Sequence, residues 1–362
     1  MKKTWAILVF LLMTLAVFAK ESQQNKKYTL FEYIAWRGDL TFEEVPLNEL
    51  DSVIFALLSY VDFDGVVPND GEISLHEAAH RYFAAENRYS NPDKDWGIWQ
   101  NCMQTLEQAA HTRRFGDVRL SNYVNSIELE STKQFSAVVF TLTPDLHYVA
   151  YRGTDSTLIG WKEDFDMATK VQVPSQIEAA EYLTDCMKNL EGSFYIGGHS
   201  KGGNLAVYAA ANQTEEMEKR IASVWNFDGP GFAANPDMVE KARNISWKTY
   251  TFVPESSIIG MLLRSTKNYF VVASDDELFF QHDAYKWHIE PCHFVQIDDV
   301  SRFSQVTDNT IQNVLMELSD EQIEESYGSW SQIQQTGQGN EGDTYSREEQ
   351  RDFRYTFQGR GR

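Results

Sequence analysis

The sequence predicts an α/β fold: a mostly parallel sheet with helices packed on both of its faces. Two observations carry that reading. Between residues 131 and 325 strand-like and helix-like segments alternate, the pattern of strand–helix–strand crossovers. Within that alternation Gly198-His-Ser-Lys-Gly202 lies with a β-pattern before it and a helical pattern after it.

The elements follow in order. Ala137–Leu142 and His147–Tyr151 flank Thr143-Pro-Asp145 and read as two strands joined by a turn. Pro174 opens a helix, with Ser175 as N-cap and Glu178 completing a capping box. Ile177, Ala180, Leu183, Met187 and Leu190 then form its apolar face, and Gly192 stops it. A short strand, Ser193–Ile196, leads into the glycine-flanked serine, and the helix Asn204–Asn212 follows. Ile221–Phe227, Lys248–Val253 and Tyr269–Ala273 are further strands.

Composition bounds the rest. The 362 residues, 42% hydrophobic and 13% aromatic, suit a large globular core. A formal charge of −21 repels phosphate backbones, which excludes nucleic acid as an expected partner. Cys102, Cys186 and Cys292 are too few and too scattered for a disulfide framework or a thiolate zinc site, although one pair has the option of bridging. Lys2 and Lys3, an apolar run from Ala6 to Phe18, and Val17-Phe18-Ala19 read as a signal peptide spanning 1–19. That predicts a secreted or periplasmic protein with no integral membrane association after cleavage; an uncleaved anchor or a cytoplasmic chain is the alternative. Residues 20–325 form the expected folded domain. The tail, 326–362, is rich in Gly, Gln, Arg and acids, has Ile333 as its one aliphatic residue after Ser331, and is expected to be disordered.

The chemistry starts from Ser200. A sharp strand-to-helix turn needs small neighbours, holds the serine Oγ out at the carboxyl end of the sheet, and aims the Lys201 N–H into the same space. A serine needs a base, and the base needs an orienting acid. Downstream of Ser200 lie three histidines, His282, His288 and His293. His282, in the polar step Phe280-Gln-His-Asp283, is the preferred base, and the other two look like ordinary satisfied histidines. Asp228 and Glu255 each follow a strand directly, and either suits the acid; Asp228 is preferred by a small margin, because Gly229-Pro-Gly231 beside it makes a rigid turn.

These residues resemble a known family. Tyr151-Arg-Gly-Thr-Asp155, followed by Trp161 and Asp164 to Asp166, looks like the corresponding segment of class 3 (fungal-type) lipases. More narrowly, Trp36–Leu40, Gly198–Gly203, Asp228–Phe232, Ser257–Leu263 and Gln281–Asp283 with Trp287 resemble a lipase-like α/β-hydrolase family of unknown function, common in Gram-positive bacteria. The resemblance spans about residues 28–320. It implies an α/β-hydrolase fold, Ser200 as nucleophile on a nucleophile elbow, His282 as base, and Thr154 as an oxyanion donor beside the Lys201 amide. The class 3 pattern carries an Asp near a Val-Pro where this chain has Phe252-Val-Pro-Glu255, so the identity of the acid stays open.

The expected activity is hydrolysis of carboxylic esters, lipid-like or other acyl esters, with no metal and no organic cofactor. The alternatives are an inactive hydrolase-fold binding protein, a thioesterase or peptidase using the same triad, and a zinc metallopeptidase built on His76-Glu77-Ala-Ala-His80. That last motif lacks an evident third ligand, with Glu107 a distant possibility. Arg37-Gly-Asp39 is a chance tripeptide beside Trp36 and Leu40, which suggest partial burial there, and Asp62–Gly65 and Asp275–Glu277 read as solvated turns. The aromatics of 82–100 suggest a lid.

Overall fold

The computed structural model describes residues 28–85, 97–128, 133–154, 167, 171–232, 235–263, 268–275 and 278–301. All of them lie in the first of two compact units, residues 1–315; the second, 316–362, falls outside the described residues. So do the signal peptide expected at 1–19, the tail at 326–362, Trp161, Asp164 to Asp166, and the middle of the aromatic segment.

Two helices come first. α1 (Leu30–Arg37) is opened by a capping box between Thr29 and Glu32. α2 (Glu49–Leu58) is capped by Asn48, whose Oδ1 accepts from the Leu50 and Asp51 N–H groups. α2 is buried along nearly its whole length, because Val53, Ile54, Phe55, Leu57 and Leu58 leave it no polar face. It runs under the sheet, where Phe55 packs its ring against Phe140 and Tyr148. Arg114 fixes its start: the buried guanidinium forks onto the Asp51 carboxylate at 2.6 and 2.8 Å and also donates to the carbonyls of Leu40, Thr41 and Val45.

Strand β1 (Ile73–Ser74) leads into α3 (Leu75–Ala84), and α4 (Gly97–Ala110) follows. The remaining strands of the large sheet are β2 (Arg119–Glu128), β3 (Lys133–Thr143), β4 (Leu146–Tyr151), β5 (Ser193–His199), β6 (Ile221–Phe227), β7 (Thr249–Pro254) and β8 (Phe270–Val272). They pair in chain order, and Gln296–Ile297 closes the far edge. β1 to β4 are antiparallel neighbours, whereas β4 through β8 run parallel. The crossovers are α5 (Pro174–Asn189), α6 (Lys201–Ala211) and α7 (Pro236–Asn244). Five parallel strands therefore release the chain at one edge, at Arg152, Ser200, Asp228, Glu255 and Ala273. Open parallel sheets build their sites at such an edge. The architecture is α/β, with the parallel strands β4 to β8 between two helical layers.

Two expectations need correcting. α5 begins two residues earlier than Ser175 allows as a cap: Val173 is the N-cap, and the Gln176 Oε1 accepts its N–H at 3.1 Å. Ser175 is buried, and Glu178 pairs with Lys133 at 2.7 Å. The buried face of α5 is Gln176, Ala179, Leu183, Cys186 and Met187, whereas Ile177 is exposed. After β7, Ile258–Leu263 forms a series of turns, closed by the Leu262 N–H on the Ile258 and Ile259 carbonyls and by Leu263 at φ 56°.

Candidate active site

The turn from β5 into α6 is sharp because two glycines allow backbones to touch. A Cβ on Gly202 would sit 2.1 Å from the Tyr151 carbonyl oxygen, and one on Gly198 would sit 2.3 Å from the Gly202 carbonyl carbon. Ser200 occupies the turn at φ 59°, ψ −132°, a conformation that side-chain-bearing residues rarely hold unless the surroundings fix it. The surroundings do: its N–H donates to the Phe227 carbonyl at 2.8 Å, and its own carbonyl accepts from the Gly203 N–H at 2.9 Å. Although it stands at the N-cap of α6, its hydroxyl makes no capping bond. The half-buried Oγ is thus left for other chemistry.

β6 delivers Asp228 to the same edge. Its φ is 53°, its N–H donates to the Phe252 carbonyl at 2.8 Å, and its side chain is fully buried. A buried carboxylate needs donors. Asp228 Oδ1 accepts from the Ser257 hydroxyl at 2.5 Å and from the Gly260 N–H at 3.1 Å; Oδ2 accepts from His282 Nδ1 at 2.7 Å. Because the carboxylate can only accept, the His282 proton sits on Nδ1, and Nε2 of the neutral ring carries a lone pair.

His282 lies at the end of a 3₁₀ turn, Leu278–His282, after β8. Its ring is partly exposed and packs over the buried ring of His199, the residue before Ser200, with centroids 4.6 Å apart. His199 Nε2 is 2.7 Å from the His282 carbonyl oxygen, and His199 Nδ1 is 3.0 Å from the Tyr60 hydroxyl. Burial first, and the neighbouring His282 second, push the His199 imidazole down to about 3, so it is neutral across the ordinary range.

The end of β4 approaches the same point. A Cβ on Gly153 would lie 3.1 Å from the Ser200 Cβ, which sets half-buried Thr154 one residue beyond contact with the serine. Lys201 splits its two ends: its amide opens α6, while its buried Nζ turns away to the Gln134 carbonyl at 2.9 Å.

The structure therefore gathers Ser200, Asp228, His282, the Lys201 amide and the Thr154 segment at one sheet edge. Glu255 reaches the same edge but is exposed, and its main chain binds Val272 and Ser301. The other downstream histidines go elsewhere. His288 Nε2 meets Asp275 at 2.8 Å, and His293 faces Glu290 at 3.4 Å. Sequence reasoning missed Tyr60, His199, Ser257 and Gly260. His199 lies inside the quoted motif, and Ser257 and Gly260 inside a quoted segment, so all three are visible there without a role, whereas Tyr60 is not.

His76-Glu77-Ala-Ala-His80 does fall on a helix, α3. His76 Nδ1 lies 3.2 Å from the Ala110 carbonyl oxygen, and Glu77 pairs with Arg81 at 2.8 Å. Among the described residues no three His, Cys, Asp or Glu side chains converge in a way that would hold a metal ion. Cys102 and Cys186 are buried free thiols, and Cys292 is an exposed one, so none of the three is in a disulfide. Trp36 is 52% exposed, whereas Gly38 is buried and Leu40 half-buried, so the partial burial expected around Arg37-Gly-Asp39 is met on the Leu40 side and not at Trp36. Among the described residues no helix is long and apolar enough to cross a membrane.

The family model described as Mbeg1-like matches residues 109–330 of the chain. No curated protein matches. Among solved structures, a fungal lipase is 11% identical over 70% of this chain and 87% of its own, with a TM-score of 0.42. A mutant form of MDLA from Penicillium cyclopium is 12% identical over 70% and 87%, with a TM-score of 0.40. Lipase II from Rhizopus niveus is 14% identical over 67% and 92%, with a TM-score of 0.35.

Proposed function

The chain belongs to the Mbeg1-like family, a lipase-like family, and from that premise we propose that it is a serine hydrolase of carboxylic esters. The observation that carries the reading is the 2.7 Å bond from His282 Nδ1 to buried Asp228, made at the sheet edge where Ser200 occupies a strained elbow.

In this reading Ser200 Oγ attacks the ester carbonyl while His282 Nε2 takes its proton. Asp228 keeps the ring in the tautomer that leaves Nε2 basic and stabilises the imidazolium that forms. The negative charge that develops on the carbonyl oxygen is met by the Lys201 N–H, at the positive end of α6, and by Thr154. His282 then returns the proton to the leaving alcohol. A water, activated by the same ring, releases the acid from the acyl-serine. Each oxyanion donor is worth about 10²–10³ in rate. Glu255 has no part in the reaction. Neither a metal nor an organic cofactor enters the proposed steps, and the substrates are lipid-like or other acyl esters. The N-terminal pattern of charge, apolar run and small residues supports export to a secreted or periplasmic location.

The test is turnover of p-nitrophenyl acyl esters of increasing chain length by wild type and Ser200→Ala. Turnover in the wild type, lost in the variant without a change in thermal midpoint, is the expected result. Equal turnover in both refutes the assignment.

A further inference from the structure

His199 is one of the most constrained side chains at the site, and the proposed reaction gives it nothing to do. It is 1% exposed and lies between two partners. A carbonyl oxygen only accepts, so the 2.7 Å contact with His282 requires a proton on His199 Nε2. In the neutral ring Nδ1 is then an acceptor, and the Tyr60 hydroxyl at 3.0 Å donates to it. The Tyr60 hydroxyl in turn occupies the space beside Gly153: a Cβ there would be 2.0 Å from it. Tyr60 thus packs against Gly153, beside the Thr154 segment, and two hydrogen bonds lead from its hydroxyl through His199 to the main chain of His282.

The loop that bears His282 has need of such a tie. It consists of 3₁₀ turns, Leu278–His282 and Ala284–Lys286, rather than paired strand. Gln281 holds it on one flank, its side chain accepting from the Ser256 N–H at 2.6 Å and its carbonyl from Trp287 Nε1 at 2.8 Å. On the site side, His282 is held by Asp228 at its ring and by His199 at its carbonyl. Two fixed points define the ring direction, and one leaves it free to swing. We propose that His199, with its tautomer set by the His282 carbonyl and its far side held by Tyr60, is a positioning residue that holds His282 in register with Asp228 and Ser200. Misplacement of a reacting group by about 1 Å costs about 10²-fold in rate, which sets the expected size of the effect.

The kinetic consequence rests on the hydrolase reading, so the experiment has an arm that does not. In ¹⁵N-histidine NMR of the full-length protein, His199 should appear as the neutral Nε2-protonated tautomer from pH 8 to pH 5. A His199 that titrates in that range, or carries its proton on Nδ1, overturns the inference whether or not the protein is a hydrolase. In the kinetic arm, His199→Phe fills the volume and removes the donor, whereas His199→Gln restores one. Expected is a loss of about 100-fold in kcat for His199→Phe with KM within about threefold, and recovery of at least about tenfold in His199→Gln. Wild-type kcat in His199→Phe overturns the proposal. Should His199→Phe not fold, Tyr60→Phe takes its place: it frees the Nδ1 side of the ring, so a fall of about tenfold or more in kcat with KM within about threefold supports the proposal, and wild-type kcat contradicts it. Absence of any turnover in wild type sinks the hydrolase reading alone, and the NMR result still decides the role of His199.

Discussion

Acid should destabilise this fold through His199 in a way that can be calculated. The imidazole is pushed from 6.5 to about 3 in the folded chain, chiefly because burial disfavours its charged form. The unfolded chain therefore binds a proton near 6.5, whereas the folded chain refuses it until about 3. Stability from this group is complete above the unfolded value and is lost as pH falls toward the folded one. At pH 5 the unfolded chain is favoured about thirtyfold by this proton, or about 2 kcal/mol; at pH 4 the loss is about 3 kcal/mol, and below pH 3 it levels off near about 5. Against a total stability of about 5–15 kcal/mol, that is a large share. The assay is urea unfolding of wild type and His199→Gln at pH 8, 6, 5 and 4. Other titrating groups are common to both proteins and cancel in the difference. Wild type should lose about 2 kcal/mol more than the variant between pH 8 and pH 5. Parallel stability curves would refute the argument that this ring is held neutral by its burial.

Three further outcomes follow from the site. Asp228→Asn should lower turnover by about 10⁴ while Glu255→Gln leaves it within about twofold; side-by-side kinetics in which Glu255→Gln is the impaired enzyme reverses the choice of acid. Ser257→Ala removes one of three donors to the buried carboxylate, and thermal unfolding should show a loss of about 1.5–3 kcal/mol together with reduced kcat; an unchanged midpoint contradicts the bond. Gly202→Ala places a methyl 2.1 Å from a carbonyl oxygen of β4, so α6 must retreat by about 1 Å or more, and stability should fall by about 3 kcal/mol or more in denaturant titration. A variant as stable as wild type would show that the elbow is not closed by this contact.

Much of this is legible in the sequence, for identifiable reasons. The serine elbow is readable because its glycines answer a backbone-to-backbone approach that no other residue permits, as Gly198 and Gly202 show. The parallel strands are readable because each apolar run, such as Ile221–Phe227, is separated from the next by a helix-length segment. The choice of acid is only half legible. Asp228 and Glu255 leave adjacent strands at one edge, and nothing local says that the turns from Ser257 to Gly260 fold over Asp228 and supply its donors. Tyr60 carries no motif at all; its place is set by α2 running under the sheet, a long-range event. On α5 the apolar period points to Ile177, yet the small residues Ser175, Ala179 and Cys186 face inward. Close approach to α6 and the sheet rewards small side chains over the most hydrophobic ones.

The central claim is that Ser200 is an activated nucleophile, and covalent labelling tests it most directly. Purified full-length protein is treated with a fluorophosphonate probe, digested, and mapped by mass spectrometry. One modified site is predicted, on the peptide that carries Ser200, at a rate that falls by about 10³ or more in His282→Ala and vanishes in Ser200→Ala. A folded wild type that remains unlabelled, or a label that persists in Ser200→Ala, would contradict it.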